Sequence, residues 1–318
     1  QVPADITGSI TIGGSTQTAA NTTPGQNVVY SFTGTEGQEI SLRTSGTTAA
    51  GFITIKKPDG SSLGSDGFDP AGGIFEAYID KQILPVSGTY TIFVDFGGAG
   101  VGSTDVSLYN AADQTSAIEI DGPAVTLTTT APGQNVRFTF DGTTGQRIFI
   151  SLPSPGFSVN YSLKRPNGTV VMQAGGNTWI DTLALDATGA FTIPGDPDGT
   201  AIGNLSARIY SVPADLTGSI LIGAAAIPVA VSNIGQNYDL TFTGAASQQV
   251  TVHVTGRTYP CVGVSLRDAS GTVLTSAGPC LTNFNLPTFT LPAAGTYTIK
   301  VDPSGPHTGT LNLSVTNP

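Results

Sequence analysis

The string PGQNV occupies residues 24–28, returns unchanged at 132–136 and returns as IGQNY at 234–238. Starting at 24, 132 and 234, the copies lie 108 and then 102 residues apart. Further motifs follow each copy in the same order: Phe-x-Gly, a Gln before an apolar strand, a turn triplet ending in Gly, and Gly-x-aromatic-Thr. A spacing of about 100 residues is too long for a solenoid repeat and matches one β-sandwich domain.

A second repeated string marks where each copy begins. VPADITGSI at 2–10 returns as VPADLTGSI at 212–220, and a diverged counterpart, NAADQTSAI, stands at 110–118. We therefore expect three tandem antiparallel β-sandwich domains with almost no linker, which together form an elongated rod. The expected domains are residues 1–109, 110–211 and 212–318.

The residue pattern within each copy is typical of short strands and tight turns. In QQVTVHVTG, residues 248–256, valines alternate with polar residues, which predicts an antiparallel sheet with one buried and one solvated face. The triplets PDG, PNG and ASG, one in each copy, are typical of hairpin turns in which Gly adopts a positive φ. The Gly-x-aromatic element predicts a tyrosine corner for Tyr90 and Tyr297, whereas Phe191 has no hydroxyl to form one.

The amino-acid composition argues against several classes of function. The chain has 318 residues, of which 39% are hydrophobic and 11% charged, with 12 basic and 22 acidic residues and a net charge of −10. Such a charge balance argues against binding to nucleic acid or to anionic membranes. The sequence contains no apolar run long enough for membrane insertion and no signal-peptide pattern.

Cys261 and Cys280 are the two cysteines of the chain. An isolated pair in an acidic, Thr- and Gly-rich sequence favours a disulfide formed in an oxidising compartment. The alternative is a pair of free, buried thiols.

The order of these motifs resembles the bacterial pre-peptidase C-terminal domain and its relatives, which occur on secreted bacterial proteins, sometimes in tandem. The resemblance extends over all three copies and rests on PGQ, Phe-x-Gly, the Gln before a strand, the PDG turn and GTYTIxVD. It implies a jelly-roll-like β-sandwich of extracellular origin, with an accessory rather than a catalytic role. Some relatives bind calcium or polymeric substrates, but this sequence lacks a full acidic ligand set.

Calcium is the metal to consider, because carboxylates recur in the turns. Asp95, Asp196 and Asp302 share one position in the three copies, and Asp198 stands beside the second. Calcium takes six to eight oxygen ligands, and each loop offers one or two carboxylates. The alternative is that these residues form turns by bonding their own backbone. No other cofactor is expected.

Aromatic side chains could provide a platform for a sugar ring. Tyr78 and Trp179 share one position, which Asn285 occupies in the third copy. Exposed aromatic rings at this position would bind a glycan. The alternative is that both are core or edge residues, since large aromatic side chains are usually buried.

Residues for catalysis are few, because His253 and His307 have no partner constellation around them. We expect no enzyme, but a secreted or cell-surface bacterial protein that acts as a structural spacer, stalk, or fibre and adhesion element. The alternative is a carbohydrate- or polymer-binding accessory module of a secreted hydrolase. Expected partners are further copies of the chain, through exposed edge strands, or a glycan or other cell-surface polymer.

Overall fold

A computed structural model describes residues 3–175, 178–278 and 280–318. The chain is all-β, with 55% of its residues in strands. In the described ranges there is no α-helix, and one short 3-10 turn spans Pro70–Gly72. No described helix is long and apolar enough to cross a membrane.

The strands fall into three successive sets. The first nine strands are β1 (Ile6–Ser9), β2 (Gln17–Ala20), β3 (Val28–Gly34), β4 (Glu39–Ser45), β5 (Gly51–Lys56), β6 (Ser62–Phe68), β7 (Tyr78–Ile83), β8 (Gly88–Phe96) and β9 (Ser103–Asn110). The next nine are β10 (Gln114–Ala117), β11 (Val125–Thr128), β12 (Val136–Gly142), β13 (Arg147–Ser151), β14 (Val159–Lys164), β15 (Val170–Gly175), β16 (Trp179–Ala184), β17 (Gly189–Pro197) and β18 (Asn204–Ser211). The last ten are β19 (Leu216–Ser219), β20 (Ile227–Val231), β21 (Tyr238–Gly244), β22 (Gln249–Thr255), β23 (Val262–Arg267), β24 (Val273–Ala277), β25 (Phe284–Asn285), β26 (Phe289–Thr290), β27 (Gly295–Pro303) and β28 (Gly309–Thr316).

Hydrogen bonding joins these strands into six sheets. The larger sheets have the orders β1-β3-β8-β5-β6, β10-β12-β17-β14-β15 and β19-β21-β27-β23-β24. The smaller sheets have the orders β2-β9-β4-β7, β11-β18-β13-β16 and β20-β28-β22-β25, with β26 also paired to β22. One larger and one smaller sheet share each cluster of buried residues, and we call such a set a sheet pair.

Each core is built from apolar side chains that alternate along the strands. In β8 the side chains of Tyr90, Ile92 and Val94 are fully buried between the sheets. The same stacked aromatic contact recurs in all three cores, between Phe32 and Tyr90, Phe140 and Phe191, and Phe242 and Tyr297, with ring centroids 5.3, 5.5 and 5.7 Å apart. This recurrence explains why Phe-x-Gly and Gly-x-aromatic recur together in the sequence.

Two predicted turn features are confirmed. The Tyr90 hydroxyl donates to the Val86 carbonyl at 2.7 Å, and the Tyr297 hydroxyl donates to the Ala293 carbonyl at 2.7 Å, so both tyrosine corners form. The glycines that end the PDG, PNG and ASG triplets have φ values of 85°, 84° and 86°. These glycines close three-residue hairpin loops in the left-handed region.

The expectation of three separate antiparallel β-sandwich domains, jelly-roll-like and set in an elongated rod, is wrong. The sheets instead form a β-solenoid of about 11 turns. The larger sheets are not antiparallel throughout, because β1 runs parallel to β3, β10 to β12 and β19 to β21. The reason is that β2, β11 and β20 lie in the opposite sheet, so the chain returns to the larger sheet by a crossover.

Candidate functional site

The two strings that mark the repeat contact each other. The side-chain amide of the Gln in PGQN or IGQN donates to the carbonyl of the Ala that lies 22 residues earlier, in the Ala-Asp string. The three bonds are Gln26 to Ala4 at 2.8 Å, Gln134 to Ala112 at 2.7 Å and Gln236 to Ala214 at 2.6 Å. Each Ala-Asp string is therefore fixed against its own Gly-Gln-Asn turn, which orients the aspartate that follows Ala.

In the second and third sheet pairs, this aspartate faces the preceding sheet pair. We call the two resulting contact regions the first seam and the second seam. At the first seam, Asp113 Oδ1 lies 2.5 Å from Nζ of Lys81, which belongs to β7 of the first sheet pair. Asp113 Oδ2 lies 3.3 Å from a guanidinium nitrogen of Arg137 on β12. One carboxylate is therefore held by a cation from each side of the seam.

The second seam has the same arrangement with different residues. Asp215 Oδ1 lies 2.6 Å from a guanidinium nitrogen of Arg147 on β13, in the second sheet pair. Asp215 Oδ2 lies 3.3 Å from Nζ of Lys300 on β27, in the third sheet pair. The lysine and the arginine have exchanged sides, but the aspartate again has a cation from each neighbour.

Side-chain hydroxyls add direct bonds to the backbone across both seams. The Ser41 hydroxyl donates to the Pro132 carbonyl at 2.5 Å, and the Thr182 hydroxyl donates to the Gly235 carbonyl at 2.7 Å. Both acceptors lie in the Pro-Gly-Gln or Ile-Gly-Gln turn of the following sheet pair. In the second and third sheet pairs, the turn that carries the repeated motif is therefore one of the parts that contact the preceding sheet pair.

The seam aspartates are held in their ionised form. Burial alone would raise the pKa of Asp113, but the hydrogen bonds and charges of Lys81 and Arg137 outweigh it, and this pKa lies below its ordinary value. Burial likewise opposes ionisation of Asp215, and its bond to Arg147 and the charge of Lys300 hold its pKa below the ordinary value. At neutral pH both seams therefore contain a charged, hydrogen-bonded carboxylate.

Two of the predicted calcium ligands also lie at the seams. Burial, and next the charge of Asp80 across the first seam, raises the pKa of Asp196. Burial, and next the charge of Asp181 across the second seam, raises the pKa of Asp302. These two aspartates therefore face other carboxylates, and each has an asparagine beside it.

Each of these two asparagines bonds to both an aspartate and a lysine. With its amide oriented to satisfy both neighbours, Asn135 donates to Asp196 at 2.7 Å and accepts from Lys81 at 3.1 Å. Asn237, oriented in the same way, donates to Asp302 at 3.0 Å and accepts from Lys300 at 3.0 Å. The Asn of the GQN motif thus links the lysine of each seam to the raised-pKa aspartate.

The structure does not bring the predicted calcium ligands together into one site. Asp95, Asp196 and Asp302 lie on β8, β17 and β27, in three different sheet pairs. Asp198 accepts a hydrogen bond from the Asn160 amide at 2.6 Å. Among the described residues, no group of three or more His, Cys, Asp and Glu side chains is arranged to hold a metal ion.

The two predicted platform aromatics lie at the seams as well. The Tyr78 hydroxyl donates to Asp80 at 2.8 Å, and a Cβ built on Gly133 of the next sheet pair would lie 3.0 Å from that hydroxyl. Burial is the main cause that raises the pKa of Tyr78. A Cβ built on Gly305 would lie 3.4 Å from the ring of Trp179. Both aromatics therefore contact the following sheet pair.

The cysteines are joined, as predicted. Cys261, immediately before β23, forms a disulfide with Cys280, which follows β24, and their Cα atoms are 4.4 Å apart. In the same sheet pair, His253 bonds through Nδ1 to Asn285 at 2.9 Å and through Nε2 to Thr316 at 2.7 Å. These bonds connect β22 to β25 on one side and to β28 on the other.

Sequence reasoning missed the seam cations. Lys81 and Arg147 occupy different positions of the repeat, on β7 and β13, so aligning the copies gives no shared basic position for the seam cations. The sequence feature that could have pointed to these cations is the low proportion of charged residues, 11%. Four of the 12 basic residues lie at the seams, namely Lys81, Arg137, Arg147 and Lys300.

No protein-family model and no curated protein matches this chain. Solved structures with similarity include the pre-peptidase C-terminal domain of a collagenase from Bacillus anthracis, at 11% identity over 31% of this chain and 98% of that chain, with a TM-score of 0.27. They also include PliG, a periplasmic inhibitor of g-type lysozyme from Aeromonas hydrophila, at 15% identity over 31% of this chain and 99% of that chain, with a TM-score of 0.24. Lac15 from a marine microbial metagenome matches over 99% of this chain and 91% of its own, at 10% identity and a TM-score of 0.20.

Proposed function

We propose that this chain is a non-catalytic structural spacer of a secreted or cell-surface protein, which holds the groups at its two ends at a fixed separation. The observation that carries the proposal is the construction of the two seams. In each, one aspartate binds a cation from both neighbouring sheet pairs, and a hydroxyl bonds to the backbone across the junction. Bonds of several kinds at one junction restrict rotation as well as separation.

Apart from Arg137, which is about half exposed, the charged side chains of the seams are partly sheltered from water, which makes their contacts more effective than surface ion pairs. The side chains of Lys81 and Asp113 are 17% and 14% exposed, and those of Lys300 and Asp215 are 17% and 22% exposed. Isolated exposed ion pairs contribute about 0–1 kcal/mol and are screened by salt. Ion pairs count for more where several charges form a network, and at each seam one carboxylate has two cations while an asparagine bridges to a second carboxylate.

An extracellular setting is consistent with the disulfide, since such bonds persist in oxidising compartments. The alternative role, a carbohydrate- or polymer-binding accessory module, depended on Tyr78 and Trp179 as open platforms. Their contacts with Gly133 and Gly305 favour the spacer. Self-association into fibres through the edge strands β6, β15 and β24 remains a prediction.

A distance measurement across the molecule tests the proposal. Spin labels on unnatural amino acids at exposed Glu36 and Ala246 leave the native disulfide intact. We expect double electron–electron resonance to give one narrow distance distribution for the wild-type chain. The double variant Lys81→Ala/Arg147→Ala should broaden this distribution, because it removes the cation that each seam aspartate receives from the preceding sheet pair.

The matched control is Arg165→Ala, which removes an ion pair of 2.6 Å with Asp186 inside the second sheet pair. This variant should leave the distribution narrow. A broad wild-type distribution would contradict the spacer role. A distribution that stays narrow in the double variant would show that the seam charges are not what fixes the junctions.

A further inference from the structure

The Pro-Gly-Gln turn of the first sheet pair has the same conformation as the turns that contact a neighbour at the seams. Gly25 has a φ of 78°, against 76° for Gly133 and 74° for Gly235. Pro24 and Gly25 are exposed, whereas Gly133 and Gly235 are buried at the seams. The first turn therefore presents to solvent the surface that its two counterparts present to a preceding sheet pair.

The aspartate beside this turn is positioned as at the seams, but it has no cation. The Asn27 backbone amide donates to Asp5 Oδ1 at 3.2 Å, as the corresponding amide donates to Asp215 Oδ1 at 3.3 Å. Among the described residues, Asp5 forms no ion pair. Apolar residues stand at the positions of the cations that its counterparts have in their own sheet pairs: Val29 for Arg137 and Phe93 for Lys300. The Asp5 carboxylate is therefore available to donors from another molecule.

The surface that receives a turn at each seam recurs in the third sheet pair. By register, Thr251 on β22 corresponds to Ser41, and Thr288, between β25 and β26, corresponds to Thr182. Ser41 and Thr182 are the residues whose hydroxyls bond to turn carbonyls at the first and second seams. Thr288 is exposed. We call the surface around Thr251 and Thr288 the open face, and it has both of the hydroxyl positions of which each seam uses one.

The open face offers neutral hydrogen-bond donors where the seams have cations. Among the described residues, the hydroxyls of Thr251 and Thr288 share a single bond of 2.8 Å, so one of their two hydrogens is left for an outside acceptor. The exposed Gln249 occupies the position of Arg147, and its side-chain amide can donate to a carboxylate placed as Asp215 is placed against Arg147. A turn carbonyl and an aspartate from another copy would therefore each meet a donor.

The open face also lacks the carboxylate that opposes docking at the seams. Asp80 at the first seam and Asp181 at the second each face an aspartate of the following sheet pair. Pro287 stands at their position in the third sheet pair. Asp95, which is equivalent to those facing aspartates, would therefore meet no like charge there.

We propose that the chain associates head to tail, the Pro-Gly-Gln turn of one copy docking on the open face of a second copy. The partner follows from continuity, because the same two kinds of surface already pair twice within the chain, at the first and second seams. The contact joins two different surfaces, so it adds copies in one direction instead of pairing two copies symmetrically. With neutral donors in place of cations, we expect the association to be weak and reversible. The inference goes beyond the spacer role, and it does not depend on the charges of the internal seams.

Sedimentation velocity from micromolar to millimolar concentration, at near-physiological salt, tests the proposal. We expect the wild type to grow reversibly beyond the dimer. Gln249→Arg supplies the cation that Arg147 supplies at the second seam, and it should lower the Kd of association about tenfold or more. Thr288→Asp places a carboxylate where a turn carbonyl must dock, and it should abolish association. The control Thr33→Asp adds the same charge at the far end of β3, where the second sheet pair has an exposed Asp141, and it should associate like the wild type.

Two blocked variants distinguish head-to-tail docking from pairing at the edge strands. Thr288→Asp keeps the turn and loses the open face. Pro24→Glu keeps the open face and puts a bulky acid on the turn, at a position where Ile234 shows that proline is not required. Each variant alone should be monomeric, and a mixture should form a dimer of one copy of each and nothing larger.

Thermal melts establish that each variant is folded before its association is compared. A wild type that stays monomeric at millimolar concentration would overturn the proposal. Unchanged association in Thr288→Asp or Pro24→Glu would place the contact elsewhere, for example at an edge strand, and a mixture of these two variants that stays monomeric would equally count against head-to-tail docking. Loss of association in Thr33→Asp would attribute the effect to net charge, and Gln249→Arg with an unchanged Kd would contradict the inferred register of the contact.

Discussion

Gly235 combines two constraints that a side chain would violate. Its φ is 74°, and an added Cβ would overlap the Thr182 hydroxyl and lie 2.9 Å from Phe149 Cβ across the second seam. Gly223 has a similar φ of 80°, but a Cβ added there would have no other atom within 4 Å. Gly223→Ala therefore measures the cost of the left-handed backbone alone, about 1–2 kcal/mol. We expect Gly235→Ala to lower the free energy of unfolding by clearly more than Gly223→Ala in urea titrations. Equal losses would mean that the seam adjusts without resistance.

The tyrosine hydroxyls give a second comparison between matched substitutions. Tyr297→Phe removes a donor to the Ala293 carbonyl, so we expect a loss of about 1 kcal/mol of stability. Tyr161→Phe removes a hydroxyl that has no partner among the described residues, so it should leave stability unchanged or raise it. Thermal melts of the two variants provide the measurement. A substantial loss of stability in Tyr161→Phe would contradict the prediction, because it would reveal a partner for that hydroxyl.

At the scale of elements, the disulfide ties the start of β23 to the segment after β24. Cys261 and Cys280 are 19 residues apart, and closing a loop of this size stabilises a fold by about 3 kcal/mol in the chain-entropy model. We expect Cys261→Ala/Cys280→Ala to lose a comparable amount in urea titrations, with faster hydrogen exchange in β24. A reductant should have the same effect on the wild type and none on the variant. Unchanged stability on reduction would contradict the prediction.

The elements that the sequence predicted correctly are those that contain its repeated motifs. The triplet turns and both tyrosine corners follow from residues whose chemistry requires one conformation, namely Gly at a positive φ and Tyr90 or Tyr297 four residues after its acceptor. The parallel pairing of β1 with β3 left no trace, because an exposed four-residue strand alternates identically in either direction. The arrangement of the sheets over the whole chain was consequently predicted wrongly.

The sequence identified Tyr78 and Trp179 as equivalent aromatic positions, but it did not predict that both lie at a seam. Tyr78 and Trp179 begin β7 and β16, which pair with β4 and β13 through register shifts between Ile40 and Leu42 and between Ile148 and Ile150. A bulge breaks the two-residue alternation from which a buried face is inferred. Contacts across a seam depend, in addition, on how neighbouring sheet pairs meet, which no local pattern records.

At the scale of the whole molecule, the seams contain carboxylates with opposite electrostatic roles. Asp215 is bound by Arg147 and Lys300, whereas Asp302 faces Asp181 from the other side of the second seam. With a net charge of −10, the chain already repels itself at neutral pH. Acidification therefore removes the attraction between Asp215 and its two cations, and it also removes the repulsion between Asp302 and Asp181. Substituting Asp215 and Asp302 one at a time separates these two effects.

The pKa of folded Asp215 lies below its unfolded value, so its ionised form stabilises the fold above the unfolded pKa, and this contribution disappears as pH falls through the folded pKa. The pKa of folded Asp302 is raised, so the wild type loses stability as pH rises through that value. We therefore expect Asp215→Asn to lower Tm at pH 7 and Asp302→Asn to raise it, with both differences shrinking towards pH 3. Calorimetry at the two pH values measures this, with exposed Asp141→Asn as a control that should change little. Shifts of the same sign at pH 7 would contradict the opposite roles of the two seam carboxylates.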